Sequence, residues 1–178
     1  MKQALSLLPE KYSFILYDGY RPLQVQQFLF THFSEQIKKQ YPGFTDQEVF
    51  KETLKYVAFP SLERKYPAPH LTGGAIDLTI GDLNGNALNL GTAFDEMHEK
   101  SATRYFEQHQ EENVEALNLR RLLYNCMTTA GFANYSEEWW HYDFGNVSWA
   151  RRTEAEQACY GAVETEIQDN QIKGYRNI

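Results

Sequence analysis

Apolar side chains near the start of the chain follow strand spacing first and helical spacing afterwards. Aromatic and branched residues run together over positions 13–17, which predicts a short buried strand. After Pro22, a residue suited to the first turn of a helix, apolar side chains recur at helical intervals from Val25 to Ile37. The pattern therefore predicts a strand followed by a helix that ends at Pro42.

Two capping boxes predict further helix starts. Thr45 is followed three residues later by Glu48, so a helix is expected to begin there and to stop before Pro60. Thr153 and Glu156 have the same spacing, and they predict one more helix in the C-terminal tail.

The middle of the chain predicts a second strand, a turn and a long helix. Positions 75–80 are mostly apolar and predict a strand, and Asn84 with Gly85 is a strong turn signal. Apolar residues at helical spacing over 117–130 predict a helix closed by Gly131. A further strand is expected around 140–144, and a loop over 89–101.

Helices and strands are mixed without an internal repeat or a linker. This mixture predicts one α+β domain over residues 1–178. The chain is 42% hydrophobic and 15% aromatic, so it can form one core with several buried rings.

The charge and hydropathy of the chain argue against several classes of partner. The net charge is −7, from 17 basic and 24 acidic residues. Nucleic acids and anionic membranes reward clustered lysine and arginine, so neither is expected as a partner. No apolar run approaches the roughly 20 residues of a membrane span, and no secretory signal is visible, so a cytoplasmic location is expected. The sequence does not indicate an oligomeric state.

Two cysteines, Cys126 and Cys159, lie far apart in the chain. Cys126 falls on the apolar face of the predicted long helix. Two free, buried thiols in a reducing compartment are the simpler interpretation. A single disulfide between them remains open.

Candidate metal ligands stand out in two segments. His70 and Asp77 flank a pair of glycines, which let the backbone turn sharply between them. Asp77 lies in an otherwise apolar strand, where a buried carboxylate is costly unless it is paired or bound to a metal. His141 also lies among bulky apolar residues. Two histidines and one carboxylate form a zinc-binding set that leaves one coordination position open.

Glu138 lies three residues before His141 and is a candidate general base. Residues three apart on a regular strand point to opposite faces, so we expect Glu138 in the turn before the strand or at a bulge. Glu137 is a weaker candidate for the same role. In the alternative interpretation, Asp77 caps a turn and the histidines make hydrogen bonds in the core.

Three motifs resemble a known family when they are taken together. They are the segment Tyr-Asp-Gly-Tyr-Arg-Pro at 17–22, the histidine, glycine and aspartate pattern at 70–77, and Glu-Trp-Trp-His at 138–141. In this order they resemble the D-alanyl-D-alanine dipeptidases of the VanX type. These are similar to a larger group of zinc D,D-peptidases of peptidase family M15 and to hedgehog-like domains.

This resemblance implies a role for each matched residue. Glu138 would be the general base and acid, Arg21 would stabilise the oxyanion, and Asp95 would receive the free ammonium of the substrate. The implied fold is an antiparallel sheet that carries the ligands, with helices packed against it. The ligands of the single zinc ion would be His70, Asp77 and His141.

The chain also departs from the pattern it resembles. Ala68 lies where the family usually has serine, the loop over 60–69 is longer, and the segment before the first helix is shorter, as in a truncated form. The implied activity is hydrolysis of D-Ala-D-Ala or a similar short dipeptide. A zinc D,D-carboxypeptidase or cell-wall endopeptidase acting on longer peptides is the alternative, and a non-catalytic zinc-binding module is another. Asp95 favours dipeptides, because it would bind a free ammonium.

Overall fold

A four-stranded antiparallel sheet forms the framework of the candidate site. The computed structural model describes residues 1–96, 98–169 and 171–178. The strands follow the order β1-β2-β4-β3 in the sheet. Their bounds are Tyr12–Asp18 (β1), Ala75–Asp82 (β2), Ala133–Asn134 (β3) and His141–Asp143 (β4).

Helices pack around this sheet and connect its strands. None of them, within the described ranges, is both long and apolar enough to cross a membrane. Two short 3₁₀ helices, Pro69–Thr72 and Glu99–Ser101, lie in the connections. The α-helices are Lys2–Ser6 (α1), Leu23–Gln40 (α2), Asp46–Thr53 (α3), Tyr105–Gln108 (α4), Val114–Thr129 (α5) and Val147–Thr153 (α6).

The hydrophobic core lies on one face of the sheet. Leu78 and Ile80 of β2 are fully buried against Leu123 and Met127 of α5. Successive side chains of a strand point to opposite faces, so Asp77 projects from the other face. The mixed helices and antiparallel sheet confirm the expected α+β fold.

Strand register brings distant polar residues into one row across the sheet. Asp77 of β2 pairs with His141 of β4 on one side and with Asp18 of β1 on the other. The pairing of β1 shifts between Leu16 and Asp18, as at a β-bulge. A β-bulge changes the direction in which the side chains that follow it point. After this irregularity, Asp18 pairs with Asp77.

Most of the predicted elements are confirmed, with shifted ends. The strands and helices expected around β1, β2, β4, α2 and α5 are present, and Gly131 follows α5 with a φ of 91°. Thr45 forms the predicted capping box with Glu48, but α3 ends at Thr53, well before Pro60. The predicted loop over 89–101 contains a 3₁₀ turn, and Met97 within it lies outside the described residues.

The helix predicted from Thr153 is wrong. Thr153 is the last residue of α6, and its hydroxyl donates to the carbonyl oxygen of Trp149. Glu154 has a left-handed φ of 57°, which ends the helix instead of starting one. The tail instead forms an antiparallel hairpin of Val163–Gln168 (β5) and Gln171–Asn177 (β6).

Both cysteines are free, as the simpler interpretation expected. Cys126 is buried on α5, and burial raises the pKa of its thiol. The expected burial of Cys159 is wrong, because this residue is exposed in the segment between α6 and β5.

Candidate metal centre

Three buried side chains converge on one point at the sheet. His70 comes from the 3₁₀ helix, Asp77 from β2 and His141 from the first position of β4. One donor atom of each residue lies within 4.8 Å of the other two. His70 Nε2 is 3.3 Å from Asp77 Oδ2, and His141 Nδ1 is 3.0 Å from Asp77 Oδ1. The structure therefore brings together the three residues that the sequence singles out.

The glycine pair between His70 and Asp77 makes this geometry possible. Gly73 ends the 3₁₀ helix with a φ of 66°, a conformation that side chains disfavour. A Cβ on Gly74 would come within 2.7 Å of the carbonyl oxygen of Phe144. The chain can thus turn from His70 into β2 while it stays against β4.

Hydrogen bonds fix which nitrogen of each imidazole faces the cluster. His70 Nδ1 lies 2.8 Å from the carbonyl oxygen of Gly19, which can only accept, so Nε2 is left as the acceptor. His141 Nε2 lies 3.3 Å from Asp143 Oδ1, which leaves Nδ1 toward Asp77. Histidine ligands of metals are held in this way, by a carbonyl or a carboxylate on the other nitrogen. The donor set therefore fits a zinc ion.

The charges of the cluster are those of a cation site. Burial tends to raise the pKa of Asp77, but hydrogen bonds from His141 and His70 hold it well below its usual value. Burial tends to lower the pKa of His141, yet the carboxylates of Asp143 and Asp77 raise it to about 10. The buried carboxylates thus favour a positive charge at this position, which a proton or a metal ion can provide.

Glu138 lies in the turn before β4, as predicted. Its amide donates to the carbonyl oxygen of Tyr135, and its Oε2 is 3.9 Å from His141 Nδ1. Burial, together with the nearby Asp77 carboxylate, raises its pKa to about 7 against the lowering effect of His141. A carboxyl group with such a pKa can both accept and return a proton near neutral pH. Glu137, the weaker candidate, is exposed and does not border the cleft of the cluster.

Arg21 is fixed beside the cluster by three side-chain hydrogen bonds. Its Nε and Nη2 donate to Asp18 Oδ2 over 2.9 and 2.7 Å, and Nη1 donates to Gln26 Oε1 over 2.9 Å. Nη2 is 3.9 Å from Asp77 Oδ2, which is too long for a hydrogen bond. The guanidinium is therefore held next to Asp77 without a hydrogen bond to it.

Asp95 borders the same cleft from the loop before α4. Its φ is 61°, in the left-handed region that few residues other than glycine adopt. Phe94 stacks on Tyr17 and contacts Trp140 edge to face, and these contacts hold the loop in place. Desolvation and the charge of Asp77 raise the pKa of Asp95. A cation bound beside Asp95 would offset both its desolvation and the repulsion from Asp77.

The cleft has a volume of about 150 Å³ and is bordered by every predicted site residue except the weaker candidate Glu137. Sequence reasoning missed the residues that hold them: Asp18 and Gln26 at Arg21, and Asp143 and Arg152 behind His141. Asp143 carried a usable signal, because it is a charged residue in a strand of bulky apolar neighbours, as Asp77 is. Gln26 and Arg152 occupy ordinary helical positions, and nothing in the sequence around them indicates a role at the site.

Comparison with known proteins identifies relatives of this chain. A family model described as D-ala-D-ala dipeptidase matches residues 2–158. A protein named D-alanyl-D-alanine dipeptidase from Synechocystis sp. is 30% identical over 90% of this chain and 73% of its own length. Proteins of the same name from Escherichia coli and Enterococcus faecalis are 34% and 35% identical, over 72% and 74% of this chain. The matches span only 53% and 61% of these two relatives.

A solved structure of VanYB in complex with D-alanine-D-alanine is a more distant match. It aligns with 80% of this chain and 65% of its own, at 19% identity and a TM-score of 0.41, too low to inform on function. The family model, in contrast, covers most of the chain and agrees with the named relatives. This chain therefore belongs to the D-Ala-D-Ala dipeptidase family, a family of zinc metallopeptidases.

Proposed function

We propose that this chain hydrolyses D-Ala-D-Ala, or a similarly short dipeptide, at a zinc centre held by His70, Asp77 and His141. One observation carries the proposal: this ligand set, a carboxyl group and a guanidinium border one small cleft. The names of the relatives support the choice of substrate. Zinc, when bound, supplies a Lewis acid that polarises a carbonyl group and makes water acidic enough to react near neutral pH.

Glu138 is the proposed proton carrier. Its carboxylate takes a proton from the attacking water and then delivers that proton to the leaving amine. The support is its position, with Oε2 3.9 Å from a ligand nitrogen, and its pKa, which burial raises to about 7. A base with an ordinary carboxyl pKa would return the proton less readily at neutral pH.

Arg21 is the proposed partner of the charge that develops on the carbonyl oxygen. Peptide hydrolysis builds negative charge there, and a fixed donor in a secluded site stabilises it strongly. Asp18 and Gln26 hold the guanidinium before the substrate arrives, so little reorganisation is needed. The charge of arginine is permanent, which suits this role at any working pH.

Asp95 is the proposed receptor of the free ammonium of the dipeptide. A carboxylate with a pKa raised by desolvation gains from a cationic partner. This contact separates a dipeptidase from an enzyme for longer peptides, whose scissile bond is preceded by another amide instead of an ammonium. The role of Asp95 therefore also decides between the dipeptidase and the D,D-carboxypeptidase alternative.

A hydrolysis panel tests the proposal. We expect D-Ala-D-Ala to be cleaved at least ~10-fold faster than N-acetyl-D-Ala-D-Ala, because the blocked peptide leaves Asp95 desolvated and unpaired. Asp95→Asn should narrow this preference, and a chelator should abolish cleavage of both peptides. Equal or faster cleavage of the blocked peptide would favour the carboxypeptidase alternative. Cleavage that persists in chelator would contradict the zinc mechanism itself.

A further inference from the structure

The cleft is bordered by three Lys or Arg side chains among the described residues. Arg21 donates to Asp18 and Gln26 through all three of its nitrogens. The side chain of Lys55 is 62% exposed, and its Nζ is 2.7 Å from Glu52 Oε2. Arg152 is the third. Lys55 is therefore exposed and paired with a carboxylate, and Arg21 is the proposed partner of the oxyanion, so Arg152 is the cation left for another group of the substrate.

Arg152 differs in how its guanidinium is used. Nη1 donates to the buried carboxylate of Asp143, and the guanidinium lies over the ring of Tyr135, 5.1 Å from its centroid. Nε and Nη2 donate to no group within the described ranges. The side chain is 30% exposed, so these donors can be reached by a ligand. A rigid guanidinium with one free edge is the geometry that binds a carboxylate through two parallel hydrogen bonds.

Arg152 and Asp95 reach the cleft from different elements. Asp95 also lines an adjoining cavity of about 640 Å³ with Glu96 and Glu99, which Arg152 does not border. Arg152 instead reaches the cleft from α6, on the side of His141 where Asp143 lies. The cleft is thus bordered by a negative group from the loop before α4 and by a cation with free donors from α6.

We infer that Arg152 binds the C-terminal carboxylate of the dipeptide, an assignment that rests on the proposed function. A carboxylate that enters a small cleft loses hydration and requires a fixed partner of opposite charge. With the ammonium at Asp95, this contact orients the dipeptide in one direction across the cleft. The free carboxylate then becomes a determinant of specificity, and substrates extended or neutralised at that end are disfavoured.

The test compares D-Ala-D-Ala with D-alanyl-D-alaninamide, which lacks the terminal charge. In the wild-type protein we expect kcat/KM to favour the acid by ~10-fold or more, the scale of a hydrogen bond to a charged group. Arg152→Gln should lose this preference, mainly through a higher KM for the acid, and Arg152→Lys should restore part of it. Arg151→Gln is the matched control, because Arg151 contacts the Lys65 carbonyl oxygen and the Tyr66 ring instead of the cleft.

The two substrates separate binding of the carboxylate from an indirect effect on the metal centre. If Arg152→Gln slows both equally, or leaves the preference intact, Arg152 does not bind the carboxylate and the inference is overturned. The zinc affinity of each variant is measured by competition with a chelating dye. A change in this affinity would show that the substitution disturbs His141 through Asp143.

Calorimetric titration of the zinc-loaded Glu138→Gln variant, with and without Arg152→Gln, measures binding of both compounds with little turnover. If the protein cleaves neither compound, the proposed function fails, and the Arg152 assignment is still decided by binding. Tighter binding of the acid that disappears in Arg152→Gln supports the assignment. Equal binding of acid and amide, or binding of neither, overturns it.

Discussion

Glu138 illustrates how position, rather than residue type, creates a reactive group at the residue scale. The chain has 24 acidic residues, and most of them are solvated on the surface. The side chain of Glu138 is only 20% exposed, next to a histidine ligand and not far from the carboxylate of Asp77. Burial raises its pKa to about 7, close to the value at which a carboxyl group shuttles protons efficiently.

Replacing Glu138 by glutamine should separate proton transfer from metal binding. Glu138→Gln keeps the shape of the side chain and removes the proton acceptor, so turnover should fall by roughly 10²–10⁴. Zinc content should be unchanged, because Glu138 is not one of the three proposed ligands. Steady-state kinetics and metal analysis of the same preparation check both parts. Loss of zinc in this variant would show that Glu138 is a ligand instead of a base.

At the scale of elements, the short helix α6 supports the metal centre from behind. Its N-cap residue Asn146 accepts from the amide of Trp149 and donates to the Gly74 carbonyl oxygen and to Asp143 Oδ1. Asn146 is 1% exposed, so no solvent can replace these bonds. The residue therefore joins α6, the start of β2 and the carboxylate behind His141.

Removing this junction should affect both stability and metal binding. In Asn146→Ala the lost cap costs about 0.5–2 kcal/mol. Loss of the two hydrogen bonds that Asn146 donates to Gly74 and Asp143 costs about 0.5–1.5 kcal/mol each, because the Phe144 amide and Arg152 still donate to these acceptors. Zinc affinity should fall ~10-fold or more, because the carboxylate that orients His141 is less well held. Denaturant unfolding and zinc competition measure the two effects.

The exposed capping box of α3 provides the control. Thr45→Ala removes an N-cap far from the cleft and should cost about 1 kcal/mol of stability without changing zinc affinity. An Asn146→Ala variant that binds zinc as tightly as the wild type would show that α6 stabilises the fold but does not tune the centre.

At the scale of the whole molecule, the centre joins segments that are distant in the chain. His70 and Asp77 precede His141 by 71 and 64 residues, and Arg21 lies 49 residues before His70. An unfolded chain does not hold these groups together, so the proposed zinc ion would bind the folded state and stabilise it. A bound zinc ion would join β2, β4 and the 3₁₀ helix Pro69–Thr72 through one ligand from each.

Zinc removal should therefore lower the thermal midpoint. At a free zinc concentration 100 times its Kd, binding contributes about 2.7 kcal/mol, which corresponds to roughly 5–10 °C for a chain of this size. Thermal unfolding with zinc and with chelator measures the shift. His141→Ala, which lacks a ligand, should show a much smaller response to chelator. An unchanged midpoint in the wild type would contradict a structural contribution of zinc.

Local signals in the sequence predicted much of this protein. Strand and helix spacing located β1, α2, β2 and α5, because side-chain periodicity follows directly from backbone geometry. The capping box at Thr45 is a contact over three residues, and it formed as predicted. The similar pattern at Thr153 failed, because that residue ends α6 and the tail pairs as a hairpin instead. Local patterns hold only where tertiary packing does not compete with them.

The candidate ligands could be proposed from the sequence, because Asp77 and His141 lie in apolar segments, where polar groups are costly without a partner. His70 was added by the glycine pair that follows it and by the resemblance of the three motifs to a known family. Only the tertiary structure decided that His70, Asp77 and His141 meet within 4.8 Å, since strand register across the sheet sets that distance. The tertiary structure also decided the supporting contacts, such as the ion pair between Arg152 of α6 and Asp143 of β4. No sequence pattern predicts that these two residues meet. The sequence determines the chemical type of each side chain, whereas the long-range contacts of the fold determine its partners and its pKa.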